Sequence, residues 1–226
     1  MTAVRQLTEL ADLVAVEELY EQTWKVSPVS AKLLRALTMA GGYVAGAFDD
    51  AGLIGASVGF CSPPSARELH SHVTAVAAGV RGRNVGYALK LDQRAWALQH
   101  GITEISWTFD PLVRRNAYFN LVKLGAEVAG YLPDCYGPMD DAINRGDESD
   151  RLLVRWRLDS APVPQRGSTV RVAVPEDIEA LRANDPARAR RWRLDVREEL
   201  GGLLAGGARV TGFDRAGWYI VERNDA

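Results

Sequence analysis

The chain has 226 residues, with two cysteines and three histidines among them. Cys61 and Cys135 stand far apart and outside any metal-ligand spacing. Neither a disulfide framework nor a zinc site is therefore expected, no metal is expected at all, and a reducing cytoplasm suits the composition. No uninterrupted apolar run reaches the length that spans a bilayer. Residues 1–10 lack the apolar stretch of a secretory signal, so none is expected. Charge of one sign is also missing. Twenty-seven Lys and Arg face twenty-nine Asp and Glu, for a net charge of −2, which gives no footprint for nucleic acid or for a membrane surface. A Walker loop would need Gly-Lys-Ser/Thr, and that too is absent. What remains is a cytoplasmic globular chain, 47% hydrophobic, long enough to bury a substantial core.

Helical periodicity is present over 8–25, with Thr8 as the expected N-cap, and over 30–40, where Gly41-Gly42 ends the run. Runs at 43–48 and 53–60, joined by Asp49-Asp50-Ala51-Gly52, read as a β-hairpin. A strand at 69–77 leads through a Gly- and Arg-rich turn into a helix over 87–100. A strand at 102–109, a helix ending near Leu124-Gly125 and a strand at 152–158 follow. Strands alternating with helices after an opening hairpin predict an α/β fold with a mixed sheet. The stretch 160–168 reads as a linker. Beyond it lie a strand at 170–174, helices opening at Pro175-Glu176-Asp177 and over 187–204, and a hairpin across Asp214-Arg215-Ala216-Gly217. Two parts are thus expected, 1–159 and 160–226. The second is too small to be stable alone, so it docks on the main domain or on a partner subunit, the latter implying a homodimer.

The chemistry concentrates where the strand ending near Val76-Ala77-Ala78 meets the helix opening at Tyr87. Between them stand Arg81-Gly82-Arg83-Asn84-Val85-Gly86. A Gly-rich turn at a helix N-terminus presents consecutive backbone N–H groups, and Gly82 and Gly86 remove side chains that would keep a phosphate away. A pyrophosphate suits that geometry. This turn resembles the signature of the GNAT superfamily of N-acyltransferases, which opens on Arg or Gln and closes on Gly, one residue, and Gly or Ala. The order of elements over 1–158 is similar as well. In sequence the likeness is specific at the signature and weaker at 117–126. The middle glycine is replaced by Asn84, the non-Gly residue that best tolerates a left-handed backbone.

The resemblance implies a GNAT-like, mostly antiparallel mixed sheet flanked by helices, with a small α+β C-terminal extension. It implies an acyl-coenzyme A cofactor, acetyl-CoA or another donor such as succinyl-CoA, and transfer to a small amine or amino acid. The cofactor-binding residues would be Val76, Ala77, Ala78, Arg81, Gly82, Arg83, Asn84, Val85, Gly86 and Tyr87, with Asn116 and Asn120 as further contacts. Many members carry a carboxylate base on the strand before the signature. His70 holds that position here, with His72 two residues on. Period-2 alternation places His70, His72 and Thr74 on one face, with Glu68 a step further out. An imidazole titrating near pH ~6.5 is able to accept a proton at neutral pH. The usual tyrosine acid would align with Leu121, and Tyr118, one turn earlier, is the substitute.

The irregular stretch 132–151 is long for a compact domain, and its carboxylates or Tyr136, Arg151 and Arg115 are available to an acceptor. Arg114 and Arg115 would equally suit the free carboxylate of a succinyl donor. The arginines from Arg188 to Arg197 are offset by acidic neighbours and read as a solvated or interface face. A non-catalytic acyl-CoA-binding module is the alternative of a different class.

Overall fold

In the computed structural model, which describes residues 2–80, 82–139, 141–159 and 167–223, most of these runs become elements close to their expected bounds. They group into two compact units, Met1–Ser106 and Trp107–Ala226.

The first unit holds strands β1 (Ala3–Gln6), β2 (Tyr43–Asp49), β3 (Gly52–Cys61), β4 (Glu68–Val76) and the start of β5 (Glu104–Phe109). Its helices are α1 (Leu10–Trp24), α2 (Ala31–Met39) and α3 (Val85–Gln99). The sheet runs β1-β2-β3-β4-β5; the first four strands pair antiparallel, and β5 joins β4 in parallel. Leu13, Val16 and Leu19 of α1 and Leu34 of α2 are buried in one cluster with Val44, Ala56, Val58 and Ala75 of the sheet. Each of these leucines and valines contributes roughly 1.5–3 kcal/mol on burial. Val85 and Leu89 of α3 form a second cluster with Ala47 and Ile54. Ser30 caps α2 by accepting from the Leu33 N–H at 3.2 Å. The expected cap at Thr8 does not form: α1 starts behind Glu9, with no side-chain cap.

One irregularity shapes the site. Gly59 pairs with Ser71 and Val58 with Val73, so His72 is an extra residue on β4, a β-bulge. The bulge shifts the alternation. Thr74 therefore does not share a face with His70. It pairs with Ser57, their hydroxyls 2.8 Å apart, on the side covered by Gln93 of α3.

In the second unit α4 (Arg114–Ala117) runs into a π-helical turn (Tyr118–Lys123), where the Leu124 N–H reaches back to the Phe119 carbonyl at 3.0 Å. Strands β6 (Glu127–Leu132) and β7 (Arg151–Arg157) pair antiparallel. Then come β8 (Thr169–Ala173), α5 (Ile178–Asn184), α6 (Pro186–Val196), a π-helical turn (Arg197–Gly201), α7 (Gly202–Ala205), β9 (Arg209–Asp214) and β10 (Trp218–Glu222). The last three strands form an antiparallel sheet in the order β8-β10-β9. Asp177 and Asp185 cap α5 and α6. Residues 167–223 pack directly on 107–159: the buried Tyr219 hydroxyl donates to the Pro111 carbonyl at 2.7 Å. Among the described residues no helix is long and apolar enough to cross a membrane.

Candidate functional site

The turn after β4 is built from backbone. The Ala77 N–H closes on the Ile54 carbonyl at 2.9 Å, a single 3₁₀ turn covers Ala78–Val80, and the Arg83 N–H bonds the Val80 carbonyl at 3.3 Å. Gly82 has φ +87° and Asn84 φ +60°, so two of the three described residues without regular structure before α3 are left-handed. Asn84 adopts the conformation its side chain tolerates best. The N–H groups of Val85, Gly86 and Tyr87, in the first turn of α3, have no intrahelical acceptor by geometry. A Cβ on Gly82 would meet nothing within 4 Å, and one on Gly86 would meet only Val76, at 3.7 Å. The turn is thus open on its outer side. Arg83 is tied back to Asp49 of the β2–β3 turn at 3.1 Å. Arg81 lies outside the described residues.

Strand β4 pairs with β5 at Glu68–His70 against Glu104–Ser106. At that point stands His70, its Nδ1 3.4 Å from Ser106 Oγ, and Ser106 in turn donates to Glu68. His72 lies on the same side: its ring is 6.3 Å from that of His70, and both rest against Phe60, at 5.8 and 5.2 Å. Burial lowers the His70 pKa below its ordinary value, and His72 lowers it further, while Glu68 pulls the other way. Desolvation lowers His72 as well. A bond from Nδ1–H to Ser106 would leave the Nε2 lone pair to accept a proton.

In the second unit Tyr136 and Arg151 come together. The Arg151 guanidinium lies 5.7 Å from the Tyr136 ring, and the Tyr136 hydroxyl is 3.0 Å from Thr108 Oγ1. Asn120 is buried, and its side-chain oxygen accepts from the Trp107 indole at 3.2 Å. Asn116 is half-buried. The Tyr118 hydroxyl accepts from Arg215 at 2.9 Å, and that guanidinium also stacks on its ring. Arg115 makes a two-pronged ion pair with Glu179.

The acidic stretch and the C-terminal arginines, read separately in the sequence, prove to be partners. Asp147 accepts from Arg193 at 2.9 Å and Arg182 at 3.2 Å; Glu148 accepts from Arg193 at 2.8 Å and Arg197 at 2.7 Å. Asp150 holds Arg197 at 2.8 Å and the Tyr131 hydroxyl at 2.7 Å. Arg182 also stands 2.8 Å from Asp110, within ion-pair range though not aligned as a hydrogen bond. These carboxylates are consumed in holding the extension. Asp140 lies outside the described residues.

Sequence reasoning missed Lys90. It is fully enclosed between α3 and β4, donating to Ser71 at 2.7 Å and Gln93 at 3.2 Å, and desolvation lowers its pKa to about 7. A signal existed, since Lys90 falls on the buried stripe of α3 with Leu89, Gln93 and Trp96.

No family model and no curated protein matches the sequence. Solved structures do. A putative acetyltransferase of the GNAT family from Desulfovibrio desulfuricans matches with a TM-score of 0.55 at 18% identity, over 70% of this chain and 99% of its own. The ribosomal-protein-S18-alanine N-acetyltransferase of Escherichia coli matches with a TM-score of 0.57 at 14% identity, over 74% and 99%. An aminoglycoside 6'-N-acetyltransferase complexed with coenzyme A gives 0.55 at 15%, over 71% and 99%. The chain therefore has the fold of GNAT acetyltransferases, with a mostly antiparallel mixed sheet flanked by helices.

Proposed function

We propose that the chain is an acyl-coenzyme A-dependent N-acyltransferase, acetyl-CoA its donor and a small amine or amino acid its acceptor. The observation that carries this reading is the pair of left-handed residues, Gly82 and Asn84, opening onto the first turn of α3. The likeness to a fold whose solved members include a coenzyme A complex supports it. The coenzyme supplies the acyl group as an activated thioester.

The residues present suit its pyrophosphate. The N–H groups of Val85, Gly86 and Tyr87 would donate to it where the α3 dipole also favours negative charge. Val76, Ala77 and Ala78 lead into the turn and keep side chains small beside it. His70 is the proposed base: with a pKa lowered by burial it stands neutral at pH 7, and Nε2 takes a proton from the acceptor's ammonium. Glu68, through Ser106, orients the ring and stabilises the imidazolium that forms. His72, on the same side, is a second site able to take that proton. Tyr118 is the proposed acid toward the departing thiolate, and Arg215 holds its phenol in place. Tyr136 and Arg151, already assembled, are proposed to meet the acceptor, while Asn116 meets the cofactor. With Arg115 paired to Glu179, the succinyl reading loses one of the two arginines that favoured it.

Isothermal titration with CoA and acetyl-CoA tests the first claim; micromolar binding is expected, and no binding of any CoA thioester removes the reading. Release of free thiol with a panel of amines then tests transfer. Binding without release would make the protein an acyl-CoA-binding module instead.

A further inference from the structure

Within the second unit, β8, α5, α6 and the β9–β10 turn line a pocket of about 570 Å³. That volume falls in the range of small-molecule sites. Val174, Pro175, Leu181, Trp192 and Trp218 give it apolar walls, and Arg114 enters from α4. Two indoles facing one space suit a flat or ring-sized body.

Arg114 is held there in an unusual way. Its Nη2 donates to the Val174 carbonyl at 2.8 Å, while its Nε is buried without a hydrogen-bond partner among the described residues. The guanidinium occupies the place of a side chain at position 217: a Cβ on Gly217 would lie 2.3 Å from Cζ, and its φ of +100° is itself a glycine conformation. The backbone has left room for this cation. The neighbouring Arg115 spends its charge on Glu179, but among the described residues no carboxylate is paired with Arg114. The acidic residues of the lining do not fill that role. Asp177 accepts from the Ala180 N–H at 2.9 Å as the cap of α5, and Glu176 is exposed. Arg188, also in the lining and as exposed as Glu176, offsets that carboxylate's charge. Arg114 is half-buried beside the pocket, its positive charge is matched by no carboxylate among the described residues, and a carboxylate suits the planar fork of a guanidinium.

We propose that this pocket binds a small molecule made of an apolar, ring-sized body and a carboxylate, the carboxylate on Arg114 and the body between Trp192 and Trp218. The site lies wholly within the second unit and does not depend on the acyltransfer reading.

The test compares 3-phenylpropionate, 3-phenylpropanol and phenethylamine, which share a body and differ in charge. Binding is read from the indole N–H signals in ¹H–¹⁵N spectra, assigned by Trp→Phe variants. Phenylpropionate should shift the Trp192 and Trp218 signals saturably and leave those of Trp24 and Trp96 in place. The alcohol and the amine should bind at least about tenfold more weakly, the loss expected for one charge-assisted contact. Arg114→Gln should weaken phenylpropionate by a similar factor. Ala180→Trp, made at an exposed lining position, should block the pocket even if Arg114→Gln does not fold. The proposal is overturned if phenylpropionate leaves both signals unmoved, if phenethylamine binds as tightly, or if Ala180→Trp leaves the affinity unchanged.

Discussion

Arg193, only 2% exposed, donates from Nε to Asp147 Oδ1 at 2.9 Å and from Nη1 to Glu148 at 2.8 Å. Helix α6 is thereby fixed to the stretch between β6 and β7. Removing one partner of such a pair strands the other's charge in a poorly solvated place, typically at ~3–5 kcal/mol. Arg193→Met should therefore lower unfolding stability by about 3 kcal/mol, the low end, because Arg182 and Arg197 still serve Asp147 and Glu148. Urea denaturation measures this. A loss under about 1 kcal/mol would mean that the extension is held chiefly by apolar contacts.

Lys90 gives a second stability prediction, with the opposite sign. Its folded pKa is about 7 against an ordinary 10.5, because burial penalises the ammonium. Between those values the unfolded chain binds more protons than the folded one, so stability rises with pH across that window. Below about pH 7 the lysine is charged in both states and the full cost is present. Lys90→Met should stabilise the fold at pH 6 by roughly 1–3 kcal/mol, and by less at pH 9. Denaturant midpoints at the two pH values check both size and trend. An advantage that does not shrink with pH would show that Lys90 is not the group titrating.

How far the sequence reached depended on the range of the interaction. The 87–100 helix, the opening hairpin and the left-handed Asn84 follow from local rules and appear as α3, β2–β3 and φ +60°. Strand β6 did not, because a register shift between Val128 and Gly130 breaks its alternation. The bulge at His72 was equally hidden, since it is set by pairing with β3 and not by β4 itself. It moved Thr74 to the other face while leaving His70 and His72 together. The ion pairs joining Asp147, Glu148 and Asp150 to Arg182, Arg193 and Arg197 span at least 35 residues, and local charge patterning sees each cluster alone.

His70 sets the expected pH profile. Its pKa lies below 6.5, first through burial and then through His72, so the imidazole loses its proton before neutrality. With an active acceptor, kcat/KM should be flat toward neutral pH and fall on the acid side, with the inflection below 6.5. His70→Gln should reduce kcat by about 10²–10⁴-fold and abolish that inflection. If the limb persists in His70→Gln but disappears in His72→Gln, the base is His72.

Asn84 separates the backbone's part in cofactor binding from that of any side chain. At φ +60° glycine is at ease, asparagine is tolerated, and a β-branched residue is strained by roughly 1–2 kcal/mol. Asn84→Gly should leave stability within about 0.5 kcal/mol of the parent, and CoA affinity unchanged or improved. Asn84→Val should destabilise the fold by the strain energy. It should also weaken CoA by about tenfold or more, because relieving the strain turns the following N–H groups away from the pyrophosphate. Thermal unfolding and titration with CoA read the two effects separately. If Asn84→Val is destabilised yet binds CoA as the parent does, the left-handed turn matters for folding alone, and the pyrophosphate is held elsewhere.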